Sequence, residues 1–208
     1  MAERTGARGR LVAFEGVDGC GKSTQARLLA GRLGARYTFE PGDTELGAAV
    51  RALLLGPGPA PSARTEALLM AADRAQHVDE LIEPALAAGQ WVVTDRYSGS
   101  TLAYQAWGRR LGAAALAPVL EFATGGLAAD LSVLLEVPAA LARERLGGSD
   151  PDRLEGQGPD FHARVAEGYR ELARLDPNHW AVVDGSGDVD AVAEAVAAAV
   201  ELRLGPPG

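Results

Sequence analysis

The chain has 208 residues, of which 47% are hydrophobic and 23% charged, values that suit a globular domain with a real core rather than a disordered chain. Its 20 basic and 28 acidic residues leave a net charge of −8, which disfavours general binding to a nucleic-acid backbone. One cysteine rules out an internal disulfide and fits a reducing, cytoplasmic setting; no apolar run reaches the length of a membrane span, and no signal-peptide core follows the N-terminus.

Short apolar runs alternate with longer helical stretches. Arg10–Glu15 reads as a strand, followed by a Gly-rich turn and a helix over Lys22–Leu33. Ala35–Glu40 reads as a second strand and Glu45–Leu55 as a helix, ended by a Gly/Pro breaker. Ser62 suits the N-cap of a long helix whose apolar stripe is Leu68, Ala71, Ala75, Val78, Ile82 and Leu86. Gln90–Thr94 is a buried-type strand, and Ser98–Ala106 and Ala113–Ala123 are helices. Leu131–Val137 is a further strand, and a helix over Pro138–Leu146 runs into the Gly/Ser/Asp/Pro-rich loop Gly147–Gly158. Pro159–Leu175 is helical, Trp180–Val183 is the last strand, and Asp188–Leu204 is an Ala/Val-rich final helix. The alternation predicts an α/β fold of three layers, a five-stranded parallel sheet between helices, in one domain over 10–204 with tails at 1–9 and 205–208.

The 20 basic residues include a single lysine, Lys22, and it lies in Gly16-Val17-Asp18-Gly19-Cys20-Gly21-Lys22-Ser23. This is G-x-x-x-x-G-K-[ST] between a strand and a helix, the signature of a P-loop. Glycines allow the tight turn that aims backbone N–H groups inward, and the helix N-terminus adds partial positive charge for a phosphate. Lys22 is placed to reach the β- and γ-phosphates of a nucleoside triphosphate and Ser23 to ligate Mg²⁺. Cys20 reads as a small filler. A guanine-reading N-K-x-D motif is impossible, because the one lysine already belongs to the loop; Asp184-Gly185-Ser186-Gly187 reads as a turn.

The strand Gln90–Thr94 ends in Asp95-Arg96-Tyr97, and ligands in open α/β sheets lie at the C-terminal ends of strands. Asp95 could hold Mg²⁺ or its waters and Arg96 could bridge phosphates; a strand-end ion pair is the alternative. Thr101, Tyr104 and Gln105 share a helix face and could read a base and a sugar. Met70 and Arg74 are neighbours on another helix. Arg51 is either a phosphate clamp or a solvated surface charge. The Gly147–Gly158 loop with Arg143, Arg145 and Arg153 is either a segment that closes over a transferring phosphoryl group or a charged surface loop. His77, His162 and His179 show no metal-ligand spacing and read as surface residues.

The fragments FEGVDGCGKST, EPGDT, RTEALLMAADRAQH, DRYSGSTLAYQ and DRLE occur in the order and spacing of bacterial thymidylate kinases, and the likeness runs from about Arg10 to Val200. The chain resembles that family of P-loop nucleoside monophosphate kinases. The resemblance implies ATP- and Mg²⁺-dependent phosphorylation of dTMP to dTDP, supporting dTTP synthesis for DNA replication, in a homodimer with a mobile lid at about 143–158.

It further implies that Gly16, Val17, Asp18, Gly19, Cys20, Gly21, Lys22, Ser23 and Thr24 bind ATP, with Arg143, Arg145 and Arg153 in the lid. Asp18 would meet the sugar 3′-hydroxyl of dTMP and help place Mg²⁺, for which Ser23 and Asp95 are the ligands. Arg51 and Arg96 would hold the dTMP phosphate; Arg74 and Gln105, with Thr101, would address thymine; Tyr104 would pack under the sugar; and Glu40 belongs to the substrate motif. Lys22, Arg96, Arg153 and Asp18 are the implied catalytic set. The P-loop slot that carries an arginine in one subgroup is Gly19 here, so the catalytic arginine is expected from the lid. Two positions depart from the family pattern: Phe39 stands where the T-R-E-P-G motif has arginine, and Met70 where a thymine-stacking phenylalanine is usual. Both bear on base choice and leave the phosphate chemistry intact. Two rivals follow: a sister kinase for another monophosphate, and a nucleotide-binding regulator without transfer.

Overall fold

The computed structural model describes residues 8–147 and 152–206. Five parallel strands form one sheet: β1 (Leu11–Glu15), β2 (Arg36–Phe39), β3 (Val92–Asp95), β4 (Leu131–Glu136) and β5 (Trp180–Asp184), in the order β2-β3-β1-β4-β5. β1 is central, with Phe14 opposite Asp95 on one side and Val133 on the other. Its residues are all apolar until Glu15 because both faces are covered.

Side-chain alternation divides the core. Val12 and Phe14 pack with α1 (Lys22–Leu33), α7 (Ala139–Leu146) and α9 (Val189–Leu204) through Leu29, Ala142 and Val196. Leu11 and Ala13 point the other way, against Val78, Ile82 and Leu86. Two further helices, α2 (Glu45–Leu55) and α3 (Ala63–His77), pack together, and α3 also packs on α6 (Ala113–Thr124). A third cluster joins Tyr104 to Phe161, Val165 and Tyr169 of α8 (Pro159–Leu175).

All five expected strands are present, within a residue or two at each end. The long helix is not continuous: α3 passes into a π-helical segment, Val78–Ile82, and then α4 (Glu83–Ala87). Pro84 lies just beyond the π turn and has no N–H to donate back, which breaks the regular ladder there. Leu68 is not in the buried stripe but 59% exposed; the inward face of α3 carries Ala67, Ala71, Arg74 and His77. The apolar period misleads at this helix because its buried face is largely polar. The helix at Ser98 similarly divides into α5 (Ser98–Thr101) and a π-helical segment, Leu102–Gly108.

Gly9 is no tail residue: it is buried, and its N–H donates to the Leu86 carbonyl at 2.9 Å. Residues 1–7, 207 and 208 of the expected tails, and 148–151 of the expected lid, lie outside the described residues.

Candidate active site

The P-loop joins the end of β1 to the start of α1. Gly16, Gly19 and Gly21 all take positive φ, and Gly21 forms the helix N-cap in the left-handed region. At Gly19 a Cβ would lie 2.1 Å from the Ala142 carbonyl oxygen, so α7 closes on the loop and leaves no room there for a side chain. Lys22 is 5% exposed and folds back over the turn, its Nζ donating to the Val17 carbonyl at 2.8 Å. Cys20 is a buried free thiol that fills space beneath the turn.

Asp95, the last residue of β3, faces the loop. Ser23 Oγ donates to its Oδ2 at 2.5 Å, while its buried Oδ1 has no hydrogen-bond partner among the described residues. A hydroxyl and a carboxylate with an unsatisfied oxygen form a hard donor set, which fits Mg²⁺.

Next in the chain, Arg96 adopts φ of 76°, an uncommon backbone for a non-glycine residue. Its guanidinium pairs with the Asp18 carboxylate, donates to Ser100 Oγ at 3.0 Å and Tyr169 OH at 3.2 Å, and lies 5.1 Å from the Tyr104 ring centroid. Tyr104 OH donates to the other Asp18 oxygen at 2.6 Å. Burial opposes ionisation of Asp18, but the charges of Arg96 and Lys22 outweigh it and hold the carboxyl below its usual range. Below this layer Glu15 is fully buried, and burial pushes its carboxyl up to about 7 against the bond from Ser100 and the charge of Arg96.

Deeper still, Arg74 is 2% exposed. Its Nε and Nη2 reach Glu40 at 2.9 and 2.7 Å, Nη1 donates to Thr101 Oγ1 at 2.9 Å, and Nη2 to the Tyr97 carbonyl at 2.9 Å. Glu40 also bonds His77 Nδ1 at 2.8 Å, and His77 Nε2 lies 2.5 Å from Thr38 Oγ1. Burial opposes ionisation of Glu40, yet Arg74 and His77 hold its carboxyl below the usual range.

One cavity of about 910 Å³ joins these parts. Asp18, Gly19 to Thr24, Glu40, Arg51, Met70, Arg74, Asp95, Arg96, Thr101, Tyr104 and Gln105 all line it, as does Phe39. Arg51 reaches the Pro41 carbonyl at 2.8 Å at its edge. Among the three candidate closing arginines only Arg145 is at the site, lying over the loop with Nη1 2.8 Å from the Gly185 carbonyl.

Arg143 is exposed and bonds back to Ala139 of its own helix. Arg153 turns away from the cavity to the carbonyls that end α2, bonding Gly56 at 2.8 Å and Gly58 at 3.1 Å. Unsatisfied C-terminal carbonyls and the helix dipole attract the guanidinium there. Gly16 and Val17 belong to the turn but are not among the residues that line the cavity.

His77 is the clearest correction: it is 1% exposed and bonded on both ring nitrogens, not a surface residue. Its place three residues after Arg74 put it on that residue's helix face, a signal that was available. Glu15, Ser100, Tyr169 and Glu66 were also missed. Nothing in their local pattern marks them, since they act through contacts distant in sequence.

The family model described as "Thymidylate kinase" matches residues 14–196. A thymidylate kinase of Synechococcus sp. (strain RCC307) is 48% identical over 191 residues, covering 86% of this chain and 89% of that protein. One of Prochlorococcus marinus (strain MIT 9313) is 44% identical over 210 residues, covering 95% and 96%. Among solved structures, the crystal structure of thymidylate kinase from Ehrlichia chaffeensis superposes with a TM-score of 0.79 at 26% identity, covering 94% of this chain and 99% of that one. With its fold, its P-loop and nearly its whole length in common with these proteins, the chain belongs to the thymidylate kinase family.

Proposed function

We infer that the chain transfers the γ-phosphoryl group of ATP to dTMP, giving dTDP and ADP. The observation that carries this is the single cavity with a phosphate loop at one end and, at the other, a deep polar wall of Arg74, Thr101 and Gln105, with Arg96 and Asp18 between. An oxygen of the dTMP phosphate attacks the γ-phosphorus as the bond to the β-γ bridging oxygen breaks, and the leaving charge stays on ADP. The acceptor oxygen is already nucleophilic, so positioning and charge stabilisation dominate and no strong general base is needed.

Backbone N–H groups of Gly19 and Gly21 cradle the donor phosphates, and Lys22 neutralises charge at the β-γ bridge. Arg145 covers the loop from the α7 side. Arg96 and Arg51 hold the acceptor phosphate; Asp18 fixes Arg96 and faces the sugar, and Tyr104 packs below it. Ser23 and Asp95 would hold Mg²⁺, which supplies Lewis-acid stabilisation of the phosphate charge. Arg74, Thr101 and Gln105 face the base, with Met70 as its apolar neighbour; Phe39 lines the same cavity but stacks on Tyr37.

One kinase domain, a homodimer and a cytoplasmic location are part of this reading. The dimer is supported by exposed Leu46 and Leu53 on α2, Leu68 on α3 and Phe122 on α6, helices that pack side by side. No helix among the described residues is long and apolar enough to cross a membrane. The test is ADP release with ATP, Mg²⁺ and a panel of dTMP, dUMP, dCMP, UMP and dGMP. dTMP is expected to give the highest kcat/KM; preference for another monophosphate, or no acceptor-dependent release, overturns the reading.

A further inference from the structure

At the deep end of the cavity a carboxylate outside the assigned set organises the polar wall. Glu66, in the first turn of α3, is 2% exposed. Arg109 grips it twice, Nε to Oε1 at 3.0 Å and Nη2 to Oε2 at 2.8 Å. Gln105 Nε2 donates to the same Oε1 at 3.0 Å. A carboxylate held by a guanidinium fork only accepts hydrogen bonds, so turning the amide over would set one acceptor against another. The amide nitrogen of Gln105 therefore faces Glu66. Its oxygen accepts a hydrogen bond from no described residue, on a side chain that lines the cavity.

Arg74 sits on the same wall with its own polarity fixed. Of the five N–H hydrogens of a guanidinium, the one on Nε goes to Glu40, one on Nη2 to the Tyr97 carbonyl and one on Nη1 to Thr101, while Nη2 also pairs with Glu40 at 2.7 Å. One Nη1 hydrogen remains. The wall thus offers an acceptor from Gln105 and a donor from Arg74. Thymine and uracil present a donor at N3 and an acceptor at O4, the complement of that pair. Cytosine presents an acceptor and a donor at the corresponding places, so each contact becomes a clash of like groups.

We propose that Glu66 is a positioning residue for base choice: by holding the amide nitrogen of Gln105 it fixes that amide's orientation, and with it the preference for a pyrimidine carrying N3–H over a cytosine nucleotide. Arg109 keeps Glu66 in place. The proposal rests on the reading that Gln105 faces the base of dTMP.

The test is the ratio of kcat/KM for dTMP to that for dCMP, with ATP, in the wild type, Glu66→Gln and Gln105→Met. Glutamine at 66 can either donate to or accept from Gln105, so both amide orientations become available. The ratio is expected to fall about tenfold in Glu66→Gln, through a higher KM for dTMP and a lower one for dCMP. Maximal turnover with dTMP and KM for ATP should stay within about twofold. A merely structural role would weaken both acceptors together and leave the ratio unchanged, and that result overturns the proposal. If Gln105→Met collapses the ratio while Glu66→Gln does not, only the role of Glu66 fails. If Gln105→Met also leaves it unchanged, the base-facing placement of Gln105 fails and the proposal with it. Should Glu66→Gln not fold with Arg109 unpaired, Glu66→Gln/Arg109→Gln carries the same test without a stranded charge.

Discussion

Lys22 is buried and Arg96 half-buried, and each is held by groups that fix its direction. Lys22→Ala is expected to lower turnover by at least about a hundredfold, the scale for losing one preorganised charge donor. Arg96→Ala should do the same and also raise KM for dTMP while leaving KM for ATP nearly unchanged. Steady-state kinetics of the purified variants check both, and near-normal turnover in either contradicts the role. Glu15 gives a pH prediction. Unfolded, its carboxyl titrates near 4.5; folded, near 7, because burial disfavours its charge. Between those values the native chain keeps a proton that the unfolded chain releases, so stability falls as pH rises through the window, by up to about 3 kcal/mol. Glu15→Gln removes this dependence. Its urea midpoint should therefore gain on the wild type from pH 5 to about pH 7 and then level off. Asp73, pushed to about 6 by burial and Glu40, is common to both proteins and cancels in the comparison. A pH-independent offset between the two would contradict the assignment. At this scale the residues of the loop and of Asp95-Arg96 were legible because their roles are tied to local spacing. Glu15 and Glu66 were not, because a buried polar residue is recognised by its distant partners.

Among the elements, the contact of α7 with the P-loop leaves no room for a side chain at Gly19. Gly19→Ala would place a methyl group 2.1 Å from the Ala142 carbonyl on a backbone of φ 80°, so α7 or the loop must move. KM for ATP is expected to rise about tenfold or more, with a loss of about 2 kcal/mol in stability; thermal unfolding and kinetics measured together check both. An unchanged KM for ATP would show that α7 does not seal the loop. The same contact explains why this P-loop carries no arginine at that slot: the space belongs to α7. Arg145 on that helix reaches the loop instead, whereas Arg153, favoured by its motif, is drawn to the end of α2. The strands and most helices could be read from apolar period and breakers. The π turns could not, since they keep the helical pattern; Tyr104 and Gln105, which line the cavity, lie in one of them.

Over the whole molecule, the parallel sheet puts the ends of β1 and β3 side by side, and the phosphate loop, Asp95 and Arg96 follow directly from those ends. Fold class was legible because strands alternate with helices; strand order was not, because nothing in the local pattern specifies which strands are neighbours. The proposed dimer makes its own prediction. Phe122 is 88% exposed on α6, and Phe122→Asp should shift sedimentation from dimer toward monomer without loss of helical circular dichroism; a monomeric wild type would contradict the dimer. The central claim is that one cavity seats both nucleotides end to end. Calorimetric titration with adenosine joined to thymidine through five phosphates tests it most directly. One molecule should bind per chain and be displaced by ATP and by dTMP alike, whereas displacement by only one of them, or two molecules bound per chain, would contradict the account.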